Sequence, residues 1–284
     1  MDDYELLDFG DGARLERFGE RIADRPHGGA LGARRTPERW AEADLRFDRD
    51  RGWTTTPPPI ASAPWTITMA GLTLILRPTD AGQVGLFPEH AALLPWLEER
   101  VTSRLKAGTD APPTVLHLFA HTGLATLALA RAGASITHVD ASRPAVRWAR
   151  DNAASSGLED RPIRWLVDDA PALVAREIRR GRTYDGIVLD PPSYGHGGKG
   201  SRRWGIRDDL PPLLDGCRRL LADDGFILLT AHSDDLGADR LHDALIHAWG
   251  PAAATAESGG SDITAATGAI LSLGAYVRLD LDAT

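Results

Sequence analysis

One cysteine in 284 residues, Cys217, excludes an internal disulfide and fits a reducing compartment. The histidines are scattered and no second thiol exists, so the spacing of a metal site is missing and no metal is expected. No apolar run approaches the ~20 residues that a bilayer-spanning helix needs. The acidic start, Met1-Asp2-Asp3-Tyr4-Glu5, lacks the apolar core of a signal peptide. Together these absences predict a cytoplasmic chain. A basic excess is missing too: the net charge of -8 argues against a nucleic-acid coat or a membrane-surface protein. The G-x-G-x-x-G fingerprint is absent, which disfavours a nicotinamide or flavin dinucleotide. No internal repeat is visible.

What is present divides the chain. Residues 1–55 are rich in Arg, Asp, Glu and Gly and read as irregular or loosely helical. Thr54-Thr55-Thr56-Pro57-Pro58-Pro59 reads as a linker or extended edge. Two short strands are predicted at Trp65–Thr68 and Leu72–Leu76, and a helix over 88–106. From about 113 the pattern changes. Near-continuous apolar runs at 114–119, 135–140, 162–167, 184–190 and 225–231 alternate with helical stretches near 123–133, 143–156, 170–181 and 209–222. A further helix fits 235–249 and a last strand 269–279. This alternation predicts a doubly wound α/β sheet with right-handed crossovers. The domain expectation is an extension over 1–106 and the sheet domain over 107–284.

Ligands of such sheets bind beyond the carboxyl ends of the strands, so the residues there matter most. The first strand runs into Phe119-Ala120-His121-Thr122-Gly123, where glycine lets backbone approach a ligand and a helix start offers N–H groups. The second ends at Asp140, placed to accept two ribose hydroxyls, with Ser142 as the cap of the next helix. The third ends in Asp168-Asp169, either of which can accept from an adenine amino group; a helix cap is the plainer role, and Asp169 is favoured for the base. The fourth ends in Asp190-Pro191-Pro192-Ser193-Tyr194. There a carboxylate and carbonyls accept N–H bonds, the prolines fix the turn, and Tyr194 offers a stacking face. Basic residues flank this turn: Arg176, Arg179, Arg180 and Arg182 before it, Lys199, Arg202, Arg203 and Arg207 after it.

Val115 to Gly123, Thr137 to Ser142, Ala149-Arg150-Asp151-Asn152 and Leu189 to Tyr194 resemble the class I S-adenosylmethionine-dependent methyltransferases, and within them the branch of the large-subunit ribosomal RNA methyltransferases. The resemblance covers roughly 83–278. It implies a Rossmann-like, doubly wound, mostly parallel seven-stranded sheet with a small N-terminal α+β extension. It implies S-adenosylmethionine as cofactor, with Phe119, Ala120, Thr122 and Gly123 at the methionine end. Asp140 and Ser142 would lie at the ribose, Asp168 and Asp169 at the adenine, and Asp190 beside the sulfonium and the target. Catalysis falls to Asp190, Pro191, Pro192 and Tyr194, with His232 placed to take a proton and Trp204 to stack on RNA. Gln83 to His90 resembles a segment of the family that packs near the cofactor, and Gly195 to Gly200 its mobile loop. The implied reaction is methylation of a base nitrogen in RNA, ribosomal RNA favoured. A metabolite or protein side chain as acceptor, or a non-catalytic cofactor-binding scaffold, are the alternatives.

Two departures stand out. Residues 1–60 show no basic, aromatic-interleaved surface of an RNA-binding module. Methylation of cytosine C5 needs a cysteine nucleophile, but His232 stands where that thiol is expected and Cys217 reads as buried helix packing. Cytosine C5 chemistry is therefore not expected.

Overall fold

The computed structural model describes residues 2–55, 64–108, 111–195, 203–232 and 236–281. The chain forms two compact units, Met1–Ala91 with Asp262–Leu273, and Ala92–Ser261 with Gly274–Thr284.

The smaller unit corrects the expectation for residues 1–55. They form a five-stranded sheet, β1 (Tyr4–Gly10), β2 (Ala13–Phe18), β3 (Arg21–Pro26), β4 (Leu45–Asp48) and β5 (Gly52–Thr55), in that order. The alternation was hidden because charged side chains occupy inward positions. Glu16 is fully buried and accepts two hydrogen bonds from buried Arg25, at 2.8 and 2.5 Å, with Arg14 at 3.2 Å. Buried ions persist only when paired in this way. Asp8 is likewise buried, and its carboxylate accepts from the amides of Phe9, Arg35 and Thr36, the Thr36 hydroxyl and the Trp40 indole. The two strands predicted next are found as β6 (Trp65–Met69) and β7 (Leu72–Leu76), an antiparallel pair. The expected linker over 56–59 lies outside the described residues.

A 3-10 turn at Pro88–Leu93 leads into α1 (Leu94–Lys106). Then follow β8 (Thr114–Leu118), α2 (Leu124–Ala132), β9 (Ser135–Asp140), α3 (Arg143–Ser155), β10 (Ile163–Val167), α4 (Ala170–Arg179) and β11 (Tyr184–Leu189). The two-residue strands β12 (Tyr194–Gly195) and β13 (Trp204–Gly205) pair with each other. The rest is α5 (Ile206–Leu220), β14 (Leu221–Ala231), α6 (Ala238–Trp249), β15 (Glu257–Thr264) and β16 (Ile270–Asp280). The seven-stranded sheet runs β10-β9-β8-β11-β14-β16-β15. β10, β9, β8, β11 and β14 are parallel neighbours, and β16 pairs antiparallel with β14. This is the doubly wound, mostly parallel sheet expected.

The sheet core is aliphatic: Leu116, Leu118, Val139, Ile187, Leu189, Ile227 and Leu229 are all fully buried. Gly186 and Phe226 are cross-strand partners, and a Cβ on Gly186 would lie 2.3 Å from the Phe226 ring. Glycine there makes room for the ring, which packs edge-on against Trp96 of α1. Asp280 closes the same region by pairing with Arg100 and Arg104.

Candidate active site

The chain order places β8 centrally, with β9 and β10 to one side and β11 and β14 to the other, so the strand order reverses between β8 and β11. That is where an open α/β sheet binds its ligand. The register brings the four loops to one level. Leu118 pairs with Val139 on one side and Leu189 on the other, and Val167 pairs with Asp140. Backbone bonds continue past the strand ends: Ala120 N–H to Val139 O, Asp168 N–H to Asp140 O, and Asp190 N–H to Leu118 O.

The loop after β8 is bent tightly. Phe119, His121 and Gly123 have φ of 53°, 46° and 90°. Two of these are non-glycine residues in the left-handed region, a conformation that the surroundings must stabilise. Several contacts do so. Asn152 of α3 donates from its side-chain amide to the Thr122 carbonyl at 2.9 Å. Ala149, one helical turn earlier, sits against Gly123, where an added Cβ would come within 3.1 Å of the alanine methyl. The Ala149–Asn152 motif thus forms the cradle of this loop.

Asp140 joins two loops. One carboxylate oxygen accepts from His121 N–H and the other from Ser142 N–H, both at 2.8 Å. A carboxylate offers about four lone-pair sites, so two remain for hydroxyl donors. Ser142 caps α3 by accepting from Ala145 N–H at 3.3 Å, as expected. Asp169 caps α4 through Ala172 N–H at 3.0 Å, and Asp168 is paired with Arg176. Both acids are therefore engaged locally, Asp169 through one oxygen.

Asp190 is held by residues that the sequence reading passed over or assigned otherwise. Thr230 of β14 donates its hydroxyl to Asp190 Oδ1 at 2.6 Å, and His232 Nε2 lies 3.3 Å from the same oxygen. Thr230 lies in β14 and His232 immediately follows its last residue, Ala231, so both reach the same carboxylate oxygen. The legible signal was a threonine inside the apolar run Phe226 to Ala231. The turn itself is braced by Trp204, whose indole N–H donates to Pro192 O at 2.7 Å. Trp204 is 8% exposed and packs on Phe119 with ring centroids 5.0 Å apart. This corrects its expected stacking on RNA: the ring is consumed in fixing the turn. Among the described residues the Pro191 carbonyl accepts no hydrogen bond. Tyr194 is 74% exposed and available for stacking.

Cys217 is wholly buried, and burial pushes its thiol up to about 12, consistent with its reading as packing. Arg176 and Arg180 are paired with Asp168 and Glu177, so the expected basic cluster on α4 is partly neutralised. Lys199 and Arg202, and the expected mobile loop over 196–200, lie outside the described residues.

Beneath the β8 loop lies a polar group that the sequence reading missed. The Thr126 hydroxyl is 2.7 Å from His117 Nδ1 and 2.9 Å from His138 Nδ1. A hydroxyl carries one proton, so one imidazole accepts it while the other donates its own Nδ1–H. His138 is fully buried, and among the described residues its Nε2 has no hydrogen-bond partner. Burial first, then His117 and His121, lower its pKa well below 6.5.

No family model matches the chain. A crystal structure of the SAM-dependent methyltransferase from Agrobacterium tumefaciens is 35% identical, over 98% of this chain and 90% of that one, with a TM-score of 0.89. The chain belongs to the S-adenosylmethionine-dependent methyltransferases. A structure of SMU.776 in complex with SAH, 15% identical over 98% of this chain and 75% of that one with a TM-score of 0.74, shares the fold. Ribosomal RNA large subunit methyltransferase K of Neisseria meningitidis is 32% identical over 133 residues, 46% of this chain. The K/L enzyme of Magnetococcus marinus is 29% identical over 181 residues, 61% of this chain. The matches span only 38% and 23% of those two relatives' own lengths.

S-adenosylmethionine is the cofactor of this methyltransferase family, and the residues present suit it. The Asp140 carboxylate retains lone pairs for a ribose diol, and the loop before α2 has the glycine and open helix start that let backbone approach a ligand. Among the described residues no helix is long and apolar enough to cross a membrane.

Proposed function

We propose that this chain methylates a nitrogen of an RNA base, ribosomal RNA first among the substrates. The observation that carries this reading is the Asp190-Pro191-Pro192 turn at the switch point. Its carboxylate is fixed by Thr230 and His232, its Pro192 carbonyl is tied to Trp204, and its Pro191 carbonyl is left without a partner among the described residues. Two acceptors side by side suit the two N–H bonds of an amino group. Holding both hydrogens directs the nitrogen lone pair away from them. Tyr194 supplies a face for the ring that bears the amino group.

Asp140 and Ser142 hold the ribose end, Asp168 and Asp169 the adenine end, and Phe119, Ala120, Thr122 and Gly123 the methionine end. When bound, S-adenosylmethionine supplies a methyl group on a positively charged sulfur. The protein's task is alignment, and positioning alone can account for about 7–11 kcal/mol of a barrier. Asp190 orients the acceptor nitrogen. His232 is a positioning residue, because its Nε2 faces Asp190 Oδ1 and a ring N–H there donates to the carboxylate. The RNA assignment is further supported by the names of the partial relatives, ribosomal RNA large subunit methyltransferases.

Release of S-adenosylhomocysteine, measured in parallel with ribosomal RNA, transfer RNA and a metabolite extract, tests this. Turnover with ribosomal RNA and a methylated base nitrogen on digestion is the expected result. Turnover only with the extract would move the acceptor to a small molecule. Cofactor binding with no turnover in any pool would leave a scaffold.

A further inference from the structure

A second concave surface leaves the same edge of the sheet. A groove of about 530 Å³ runs between α4 and α5, from Asp169 and Trp204 at the strand ends to Ile178 and Arg219 further down. Its floor is apolar, formed by Val174 and Ile178 of α4 and Leu213 of α5, with Trp204 at one end. At its base the two helices meet closely: a Cβ on Gly216 would lie 2.5 Å from Val174. The volume falls within the range of about 300–1,000 Å³ typical of sites for small organic groups.

The charges at the rim are selective. Arg203 and Arg219 are exposed and line the groove, and among the described residues neither makes a hydrogen bond or ion pair. Three other arginines nearby are engaged: Arg176 with Asp168, Arg180 with Glu177 and Arg218 with the Ala248 carbonyl. Asp169, Asp209 and Asp215 also line the groove. Asp169 caps α4, and Asp209 accepts from Gly205 N–H at 2.8 Å. These acids would repel a continuous run of phosphates. Two guanidiniums around an apolar slot fit one flat base with its phosphates instead. The wall is also tied to the reaction, since Trp204 is the residue that holds Pro192 O.

We infer that this groove takes a nucleotide of the substrate RNA flanking the target, its base against Val174, Ile178 and Leu213 and its phosphates at Arg203 and Arg219. The inference rests on the RNA reading above and adds where the strand lies. Apolar contact with an aliphatic floor does not distinguish one base from another, so the site secures the strand and leaves the choice of target to the Asp190 turn.

The test uses the full chain and two variants, Arg203→Glu with Arg219→Glu, and Ala175→Trp, which puts an indole on the α4 side of the groove. Calorimetry with S-adenosylmethionine checks that each remains folded. Anisotropy of a fluorescein-labelled single-stranded RNA of mixed sequence, over a salt series, and methylation of ribosomal RNA are then measured. Both variants are expected to bind the RNA about tenfold or more weakly, with cofactor affinity unchanged. In the charge variant the slope of log affinity against log salt falls by about 0.7 for each phosphate that is no longer neutralised. Should the double variant fail to bind cofactor, Arg219→Gln alone decides. A wild-type protein that methylates RNA, with variants that bind and methylate it equally well, overturns the groove and leaves the RNA reading intact. Variants that keep RNA binding but lose methylation of a protein in a ribosomal fraction assign the groove to a protein and overturn it too. A wild-type protein that neither binds nor methylates RNA removes the RNA reading itself, and the groove with it.

Discussion

His121 donates its backbone N–H to the Asp140 carboxylate at 2.8 Å, so the loop after β8 is fastened to the end of β9. The second oxygen of Asp140 does the same for Ser142. One side chain thus ties two loops together, and on the proposed reading its remaining lone pairs would accept from a ribose. Asp140→Asn retains the shape but turns an NH₂ group toward one of two backbone donors. A hydrogen bond to a charged group contributes about 1.5–3 kcal/mol, so S-adenosylmethionine affinity should fall by roughly 10- to 100-fold. Calorimetry measures it directly, and an unchanged Kd would remove Asp140 from the site.

Asp190 and Thr230 are separable. Asp190→Ala should abolish turnover while cofactor affinity stays within about tenfold, ~1.4 kcal/mol. Thr230→Val leaves the carboxylate but removes the hydroxyl bonded to it at 2.6 Å. It should lower kcat about tenfold or more, since orientation of a reacting group is costly to lose, with Thr230→Ser restoring most of it. If Thr230→Val and Thr230→Ser turn over alike, the hydroxyl has no part in holding Asp190.

The central strands at the site were legible because a parallel sheet covered on both faces buries them, as Val115 to Leu118 and Ile187 to Leu189 are buried without a break. The smaller unit was opaque for the opposite reason: Arg14, Glu16 and Arg25 occupy core positions as mutual ion pairs. A local signal did exist there. Asp11-Gly12 joins β1 to β2 with φ of 52° and 75°, the pair of left-handed residues that a tight hairpin needs. β15 was missed because Gly259 and Gly260 interrupt it, yet a Cβ on Gly259 would approach the Tyr276 ring to 2.9 Å. At the site, the strand-end acids could be read from position alone. The side chains that aim them could not, since Thr230 and Trp204 lie 40 and 14 positions from Asp190 in sequence.

Gly123 tests the cradle. Its φ is 90°, and a methyl there would press on Ala149 at 3.1 Å. Gly123→Ala should cost about 1–2 kcal/mol, lowering Tm by about 2–4 °C per kcal/mol, and weaken cofactor binding as the loop shifts. A thermal melt and calorimetry on the same sample check both. Equal Tm and equal affinity would mean that the loop tolerates a side chain there.

Cys217 should be inert. Its thiol is wholly buried and pushed up to about 12, so almost no thiolate exists at neutral pH. Iodoacetamide at pH 7.5, about neutral, should leave the native protein unlabelled in mass spectrometry. Cys217→Ala should retain methylation of the same acceptor. Appearance of 5-methylcytosine that is lost in this variant would restore a nucleophilic role for the thiol.

His138 gives the larger unit an acid-sensitive point. Its folded pKa lies well below 6.5 because burial disfavours the imidazolium, with His117 and His121 adding to the shift. In the unfolded chain it titrates near 6.5. Above that value neither state binds the proton and the group adds no pH dependence. Below it the unfolded state is protonated while the folded state is not, so stability falls as the pH drops. The slope for this one proton approaches 1.4 kcal/mol per pH unit, an approximate limit, and persists until the folded pKa is reached. Denaturant melts of the wild type and His138→Gln between pH 7 and pH 5, about the window that this shift defines, should diverge: the wild type loses stability steadily, and the variant less steeply. Glutamine keeps a donor and acceptor for the Thr126 hydroxyl but cannot take up a proton. Parallel pH profiles for the two proteins would show that the acid lability originates elsewhere.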